Sequence, residues 1–261
     1  MNENKPRSLV PFGIILGLSL MLTAVIVSWV VYYVKTYNNA VVTVTGVSQK
    51  TVKSDVVKWR GTFLRHTGPA ESDLKTGSAQ MTSDLNTILA YFTSNGIATS
   101  SITVNPLSVD PQYQTANGVM SAKFYGGGLG GTLTGYDLSQ SILVESDNVD
   151  GLTTLAHDAP QFLVGKGIIF SAQSPEYYLK NETLDSLRRG MLQSALSDAR
   201  DRAKAITEGV GATVGNLRSS SIGVTQITPV NSTLVSDYGA YDTSSVEKLL
   251  TYLVHATFAL R

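Results

Sequence analysis

Residues 181–210 read NETLDSLRRGMLQSALSDARDRAKAITEGV, and this stretch decides the fold. Leu184, Leu187, Met191, Ala195, Ala199, Ala203, Ile206 and Val210 recur at three- and four-residue steps, which aligns them on one stripe of a 3.6-residue helix. The spacing predicts a helix from near Asn181 to about Val210. Three alanines in the middle of the stripe leave little side-chain bulk, so the helix is expected to lie close against a sheet. Asp198–Arg202 and Lys204–Glu208 are i,i+4 pairs for its wet face, each worth about 0.2–0.5 kcal/mol. Arg188, Arg189, Arg200, Arg202 and Lys204 alternate with acids, the pattern of a solvated helix face.

Toward the C-terminus, residues 229–245 (PVNSTLVSDYGAYDTSS) read as an irregular loop, and a strand follows. Its even positions Leu250, Tyr252, Val254, Ala256, Phe258 and Leu260 form an apolar face. Toward the N-terminus, Gly167 to Gln173 reads as a strand. Asn148 or Asp150 can cap a helix that runs to Leu163 and closes on Gly165-Lys166-Gly167. Strands are expected around Ile102–Val109, Gly118–Phe124 and Thr132–Val144. A helix is expected from Pro69 to Asn95, with Leu85, Ile88, Leu89 and Phe92 on its stripe and Gly96 as its stop. Val41 to Ser48 is β-branched, and Val57, Trp59 and Phe63 alternate with Lys58, Arg60 and Thr62, giving two more strands. Helix–Gly–Ile–strand occurs at Gly96-Ile97 and again at Gly167-Ile168, which hints at an internal duplication. The expected class is α+β: a mostly antiparallel sheet packed by two to three helices and preceded by one N-terminal transmembrane helix.

That last element is Leu9 to Val34, LVPFGIILGLSLMLTAVIVSWVVYYV, which carries no charge. Its 26 residues make a helix about 39 Å long, enough to cross a bilayer core of about 30 Å with tilt. A cleavable signal would have a shorter apolar run ending in small residues, whereas this one closes on WVVYYV; an uncleaved anchor is expected. Trp29, Tyr32 and Tyr33 suit an interfacial belt. Gly13, Gly17, Met21, Ala24 and Ser28 share one face, and Gly13-x-x-x-Gly17 permits close helix–helix approach. Lys5 and Arg7 precede the span and Lys35 alone follows closely, so the positive-inside rule places residues 1–8 in the cytoplasm and 35–261 outside it.

Composition removes other classes. The chain has 20 Lys+Arg against 20 Asp+Glu and a pI near 6.8, which argues against a phosphate-tracking nucleic-acid binder. With no cysteine among 261 residues, disulfide scaffolds, thiolate zinc sites and cysteine nucleophiles are all absent. Gly126, Gly128 and Gly131 formally satisfy G-x-G-x-x-G, but both flanks read as strand and no helix follows to receive a pyrophosphate. His66, His157 and His255 lack metal-ligand spacing. Glu145-Ser-Asp147-Asn-Val-Asp150-Gly151 fits helix capping better than a calcium loop. No serine sits in G-x-S-x-G. Asn181-Glu-Thr183 and Asn231-Ser-Thr233 are sequons that matter only in a eukaryotic secretory setting. No catalytic, cofactor or metal constellation emerges.

Four segments in register carry a family resemblance. Ala195-Leu-Ser-Asp-Ala199-Arg200-Asp-Arg202-Ala203-Lys-Ala205-Ile206 with Gly211-x-x-x-Gly215 resembles the signature of the SIMPL-domain family. Val42-Thr-Val44-Thr-Gly46 with Lys53-Ser-Asp55, the run Ile102 to Tyr113, and Gly135-Tyr136 leading into Ser141-Ile-Leu-Val144 agree in order. Ser54 stands where that family usually has proline, the loop 229–245 is individual, and many relatives begin with a cleaved signal. The resemblance covers roughly residues 40–261 and implies a β-rich α+β domain that assembles into a large ring, without established enzymatic activity. It carries no catalytic residues across. The expected protein is therefore a bacterial envelope scaffold, linked to stress in some relatives, with copies of itself and membrane lipid as partners. Three alternatives stand beside it: an undetected hydrolase, an envelope ligand-binding or stress-protective module acting as a small oligomer, and a pore-forming assembly. A helix without a charged stripe argues against an ion-conducting pore.

Overall fold

The computed structural model describes residues 10–37, 40–115, 118–121, 131–233 and 236–261. A long apolar helix, α1 (Val10–Tyr37), comes first, then strands β1 (Val41–Lys53) and β2 (Val56–Thr67). Helix α2 (Glu71–Ser94) leads through a short 3₁₀ turn, Thr99–Ser101, into β3 (Ile102–Val104), β4 (Ser108–Thr115), β5 (Gly118–Ser121) and β6 (Thr132–Ser146). Helix α3 (Val149–Gly165), β7 (Ile169–Ala172), β8 (Glu176–Tyr178) and helix α4 (Asn181–Glu208) follow. The chain closes with β9 (Val214–Ile222), β10 (Gln226–Pro229), β11 (Ala240–Tyr241) and β12 (Glu247–Leu260). It divides into two compact units: residues 49–189 with 225–251, and residues 1–48 with 190–224 and 252–261.

The larger unit is built on the antiparallel pair β2–β6, in register from Val57 opposite Ser146 to Thr67 opposite Tyr136. β7 and β8 flank β2, while β3 and β4 flank β6, and β5 extends β4. Thus β2-α2-β3 and β6-α3-β7 are two split βαβ units, each sending its last strand to the other's first. This is the βαββαβ, ferredoxin-like connectivity, all antiparallel. It gives the repeated Gly-Ile its meaning. Gly96 and Gly167 both take left-handed backbone (φ +86° and +77°), and Ile97 and Ile168 each donate back to the helix, to the carbonyls of Phe92 (3.0 Å) and Leu163 (3.1 Å). That bond satisfies a carbonyl the helix end leaves open, and only glycine turns left at no steric cost. Both isoleucines are buried in the core that the helices close over. Trp59 lies at its centre against Phe92 and Phe170, with ring centroids 5.5 and 5.8 Å away.

In the smaller unit, the Tyr252–Leu260 part of β12 pairs antiparallel with β9, from Val254 opposite Ile222 to Leu260 opposite Val214, and with β1 on its other side. The α4 segment that begins at Gly190 packs by small side chains on Val44, Ala256 and Phe258. It ends as α2 and α3 do: Gly211 has φ +71°, and the Ala212 N–H reaches the Thr207 carbonyl at 3.0 Å.

Several expectations need correction in detail. The α4 stripe is buried at Leu184, Met191, Ala195, Ala199 and Ala203 but ends on Thr207; Leu187 is half-buried, while Ile206 and Val210 are exposed. Four-residue steps advance about 40° beyond a full turn, so a stripe of strict fours drifts around the helix and passes Ile206 by. Lys204 pairs with Asp201 (3.0 Å) in place of Glu208, whereas Asp198–Arg202 forms as expected at 2.8 Å. The strand expected over Ile102–Val109 breaks into β3 and β4 at Asn105–Leu107, where Pro106 lacks an N–H for the ladder. β1 runs on to Lys53, and the loop 229–245 contains β11, whose pairing with β10 is parallel. Asn148 is the residue that caps α3, accepting from the Gly151 N–H at 3.0 Å. Residues 1–9, Gly126, Gly128 and the 122–124 end of the expected strand lie outside the described residues. Gly131 does lead directly into β6.

Candidate functional site

Two of the sequence signatures meet at the outer edge of β1. Gly46 is buried against α4, and a Cβ added there would collide with the Ala195 carbonyl and lie 2.7 and 2.8 Å from the Ala199 nitrogen and Cβ. Helix and strand approach so closely only because neither side presents bulk. The next residue fixes their register: the Val47 N–H donates to Asp198 Oδ2 at 2.8 Å, and Arg202 Nε donates to the same oxygen at 2.8 Å.

The rest of that strand edge is open. The Leu260 N–H donates to the Ala40 carbonyl, and Thr43 faces Thr257 while Thr45 faces His255, at 3.0 and 2.9 Å between side-chain polar atoms. This is antiparallel pairing in which even residues of β1 bond β12 and odd residues aim their N–H and C=O groups outward. Among the described residues, no strand lies on that outer side. Thr43, Val44 and Thr45 form one wall of an open groove of about 500 Å³, and Arg202, Ala205 and Ile206 of α4 form the other. An exposed strand edge beside an apolar helix wall can accept an added strand.

Two other polar clusters lie in the larger unit. Lys248 is fully buried, and its Nζ donates to the Asp242 carbonyl (2.6 Å), the Ser245 carbonyl (2.8 Å) and Asp242 Oδ2 (3.2 Å). Burial pushes the Lys248 ammonium below the usual lysine range against the pull of Asp242. Burial also works to raise Asp242, but hydrogen bonds from Ser245, Ser244 and Lys248 outweigh it and hold the carboxyl well below the ordinary 3.8. Every donor of the ammonium has an acceptor, so the cluster locks the loop to β12 without offering a reactive group. The second cluster is a shallow cleft of about 240 Å³ where Asp137 receives Gln112 Nε2 at 2.8 Å and lies 2.5 Å from His66 Nδ1. His157 pairs with Asp158 at 2.9 Å, and no group of three metal-ligating side chains occurs among the described residues.

The remaining signature residues are structural. Asp55 accepts from the Lys180 N–H (2.7 Å) and from the Thr183 hydroxyl (2.6 Å), capping the start of α4. Ser54, at the proline position, donates its N–H to the Val246 carbonyl at 2.8 Å, while its buried hydroxyl has no partner among the described residues. On α1, Ser19 and Thr23 bond back to carbonyls of their own helix, and Trp29 stacks on Tyr33 at 5.8 Å. The side chains of residues 12–35 are exposed, Ala24, Ser28 and Tyr32 included, and nothing lies within 4 Å of a Cβ placed on Gly13 or Gly17. Sequence reasoning passed over Asp84, which shares the buried stripe of α2 and takes a two-pronged bond from Arg65 of β2. An acid on an apolar stripe was its signal.

These features define an α+β protein with ferredoxin-like connectivity and one N-terminal helix, Phe12–Lys35, long and apolar enough to cross a membrane. The family model SIMPL, described as a protein of unknown function (DUF541), matches residues 42–248, and the chain belongs to that family. A search of curated proteins finds no match.

Proposed function

We propose that this protein is a single-pass bacterial envelope scaffold of the cytoplasmic membrane. In this reading residues 1–8 lie in the cytoplasm, residues 35–261 lie in the periplasm or outside the cell, and the external parts assemble with copies of themselves into a ring. Its partners are other copies and membrane lipid, and it acts without a cofactor, nucleic acid or enzymatic step.

The observation that carries the reading is α1, which has no charge from Val10 to Val34 and whose apolar side chains from Phe12 to Val34 lie uncovered among the described residues. Water penalises that surface by roughly 25 cal/mol per Å², and lipid removes the penalty. Anchoring then confines copies to a plane and raises their effective concentration, so modest contacts suffice for assembly. The open Gly13 and Gly17 face supports helix–helix approach within such an assembly. The excess of Lys5 and Arg7 over Lys35 supports the orientation.

Imaging of the detergent-solubilised full chain tests the assembly. Closed rings are expected, and monomers or dimers at micromolar concentration would contradict it. Protease applied from outside should remove the 35–261 portion from intact spheroplasts; cleavage from the cytoplasmic side alone would reverse the topology.

A further inference from the structure

The geometry points to the seam of that ring: the outer edge of β9 in one copy pairs with the outer edge of β1 in the next, beside the groove walled by Arg202, Ala205 and Ile206. The inference rests on the ring reading and adds to it which surfaces meet.

What β9 lacks is what the groove offers. β9 pairs only with β12 among the described strands, and residues 216–222 are exposed along both faces, with Leu217 and Ile222 apolar and uncovered. An edge of this kind is normally blunted by proline, lysine or a covering element. Residues 41–47 carry neither proline nor a charged side chain, and residues 216–222 carry no proline or lysine, with Arg218 as their single charge. The β1 side supplies outward N–H and C=O groups at Val41, Thr43 and Thr45, and the α4 wall there covers one face of an incoming strand. Asp198 closes the open run at Val47 by taking its N–H, which limits the register the incoming strand can adopt.

The occupant is a second copy for two further reasons. Residues 38–40 alone separate α1 from β1, a reach of at most about 11 Å, so α1 helices packed at their usual 8–10 Å hold neighbouring β1 edges together. Direction agrees as well. β1 and β9 are both antiparallel to β12 and hence parallel to one another. Copies related by rotation about a membrane normal keep the component of that direction along the normal, so β9 meets β1 as a parallel, head-to-tail pair. Unlike patches joined head to tail generate rings; β1 meeting β1 would stop at a dimer.

The chain has no cysteine, so introduced pairs report cleanly. Thr43 and Thr45 share a sheet face with Ser219 and Ser221, because Thr257 lies opposite both Thr43 and Ser219, and His255 opposite both Thr45 and Ser221. Within one copy these positions are two strand spacings apart, about 9.5 Å, too far for a disulfide. Four double variants combine Thr43→Cys or Thr45→Cys with Ser219→Cys or Ser221→Cys and cover two-residue register steps. Oxidised in native membranes as full chains, at least one should give a ladder extending past dimer, while each single variant stays monomeric on denaturing gels. Rings by imaging with no ladder from any double would overturn the seam and leave the ring standing. Disulfide dimers from Thr43→Cys alone would overturn it in favour of a symmetric β1–β1 contact. Monomers by imaging would end the ring reading and the seam with it. As a second probe, Ile206→Glu should abolish rings with the thermal midpoint unchanged; intact rings would contradict the groove's role.

Discussion

The two units solve one problem, covering a sheet with a helix, in opposite ways. In the larger unit α2 and α3 meet β2 and β6 through Phe92, Leu152 and Leu163 around Trp59 and Phe63, all essentially inaccessible. In the smaller, α4 meets β1 and β12 through Ala195, Ala199 and Ala203, with Gly46 beneath them. Large side chains bury much apolar area and hold backbones apart; alanine and glycine bury little and let backbones touch. The smaller unit therefore depends on shape more than on area. Exposed apolar side chains remain in both units: Ile206, Val210, Leu217 and Ile222 in the smaller, and Phe162, Val164 and Ile169 in the larger. The smaller unit carries the edges of β1 and β9, and the larger has edge strands of its own at β5, β7 and β8.

The contrast can be broken from either side. Trp59→Ala should cost about 4 kcal/mol, the price of a large aromatic cavity, read from denaturant unfolding of the 35–261 portion. Lys248→Met should cost about 3 kcal/mol by leaving Asp242 without its cation, and a loss under 1 kcal/mol would show the lock to be dispensable. Gly46→Ala should cost about 2 kcal/mol through overpacking. Its amide-exchange acceleration should concentrate in residues 41–48 and 190–208, sparing β2 and β6; uniform acceleration would refute the separation of the two cores.

A smaller effect depends on pH. The folded-state pKa of Asp242 is depressed below its ordinary 3.8, so its contribution is present above that value and declines as pH falls through it toward the folded pKa. The unfolding free energy should drop on acidification below about pH 5, and Asp242→Asn should flatten that slope while lowering stability at neutral pH. The smallest effect is at Ser54. Ser54→Ala removes a buried hydroxyl without a partner and should leave stability unchanged or raise it by up to about 1 kcal/mol. Ser54→Pro should destabilise, because the Ser54 N–H serves the Val246 carbonyl.

Much of this was legible in residue order. The stripes of α2 and α4, the cap of α3, the parity of β12 and the two Gly-Ile junctions are local patterns, and local patterns survive in a one-dimensional reading. The Gly-Ile repeat even carried the duplicated topology, since the same helix ending feeds an equivalent strand each time. What escaped depends on partners distant in sequence. Lys248 stands at the buried parity of β12, but its acceptors belong to a loop with no periodicity. β8, β9 and β10 are short or serine-rich, and their pairing comes from β2 and β12 rather than from their own composition. The groove beside β1 was invisible because an edge is a property of the assembled sheet. Helical spacing puts its wall residue Ile206 on the buried stripe, and the exposure of that side chain is what makes the wall available.

The central claim is that anchored copies of this chain close on themselves through the smaller unit. Single-particle imaging of the full-length protein in detergent tests it most directly. The account predicts closed rings of constant diameter with the 35–261 portions side by side, and a population of monomers or dimers at micromolar concentration would contradict it.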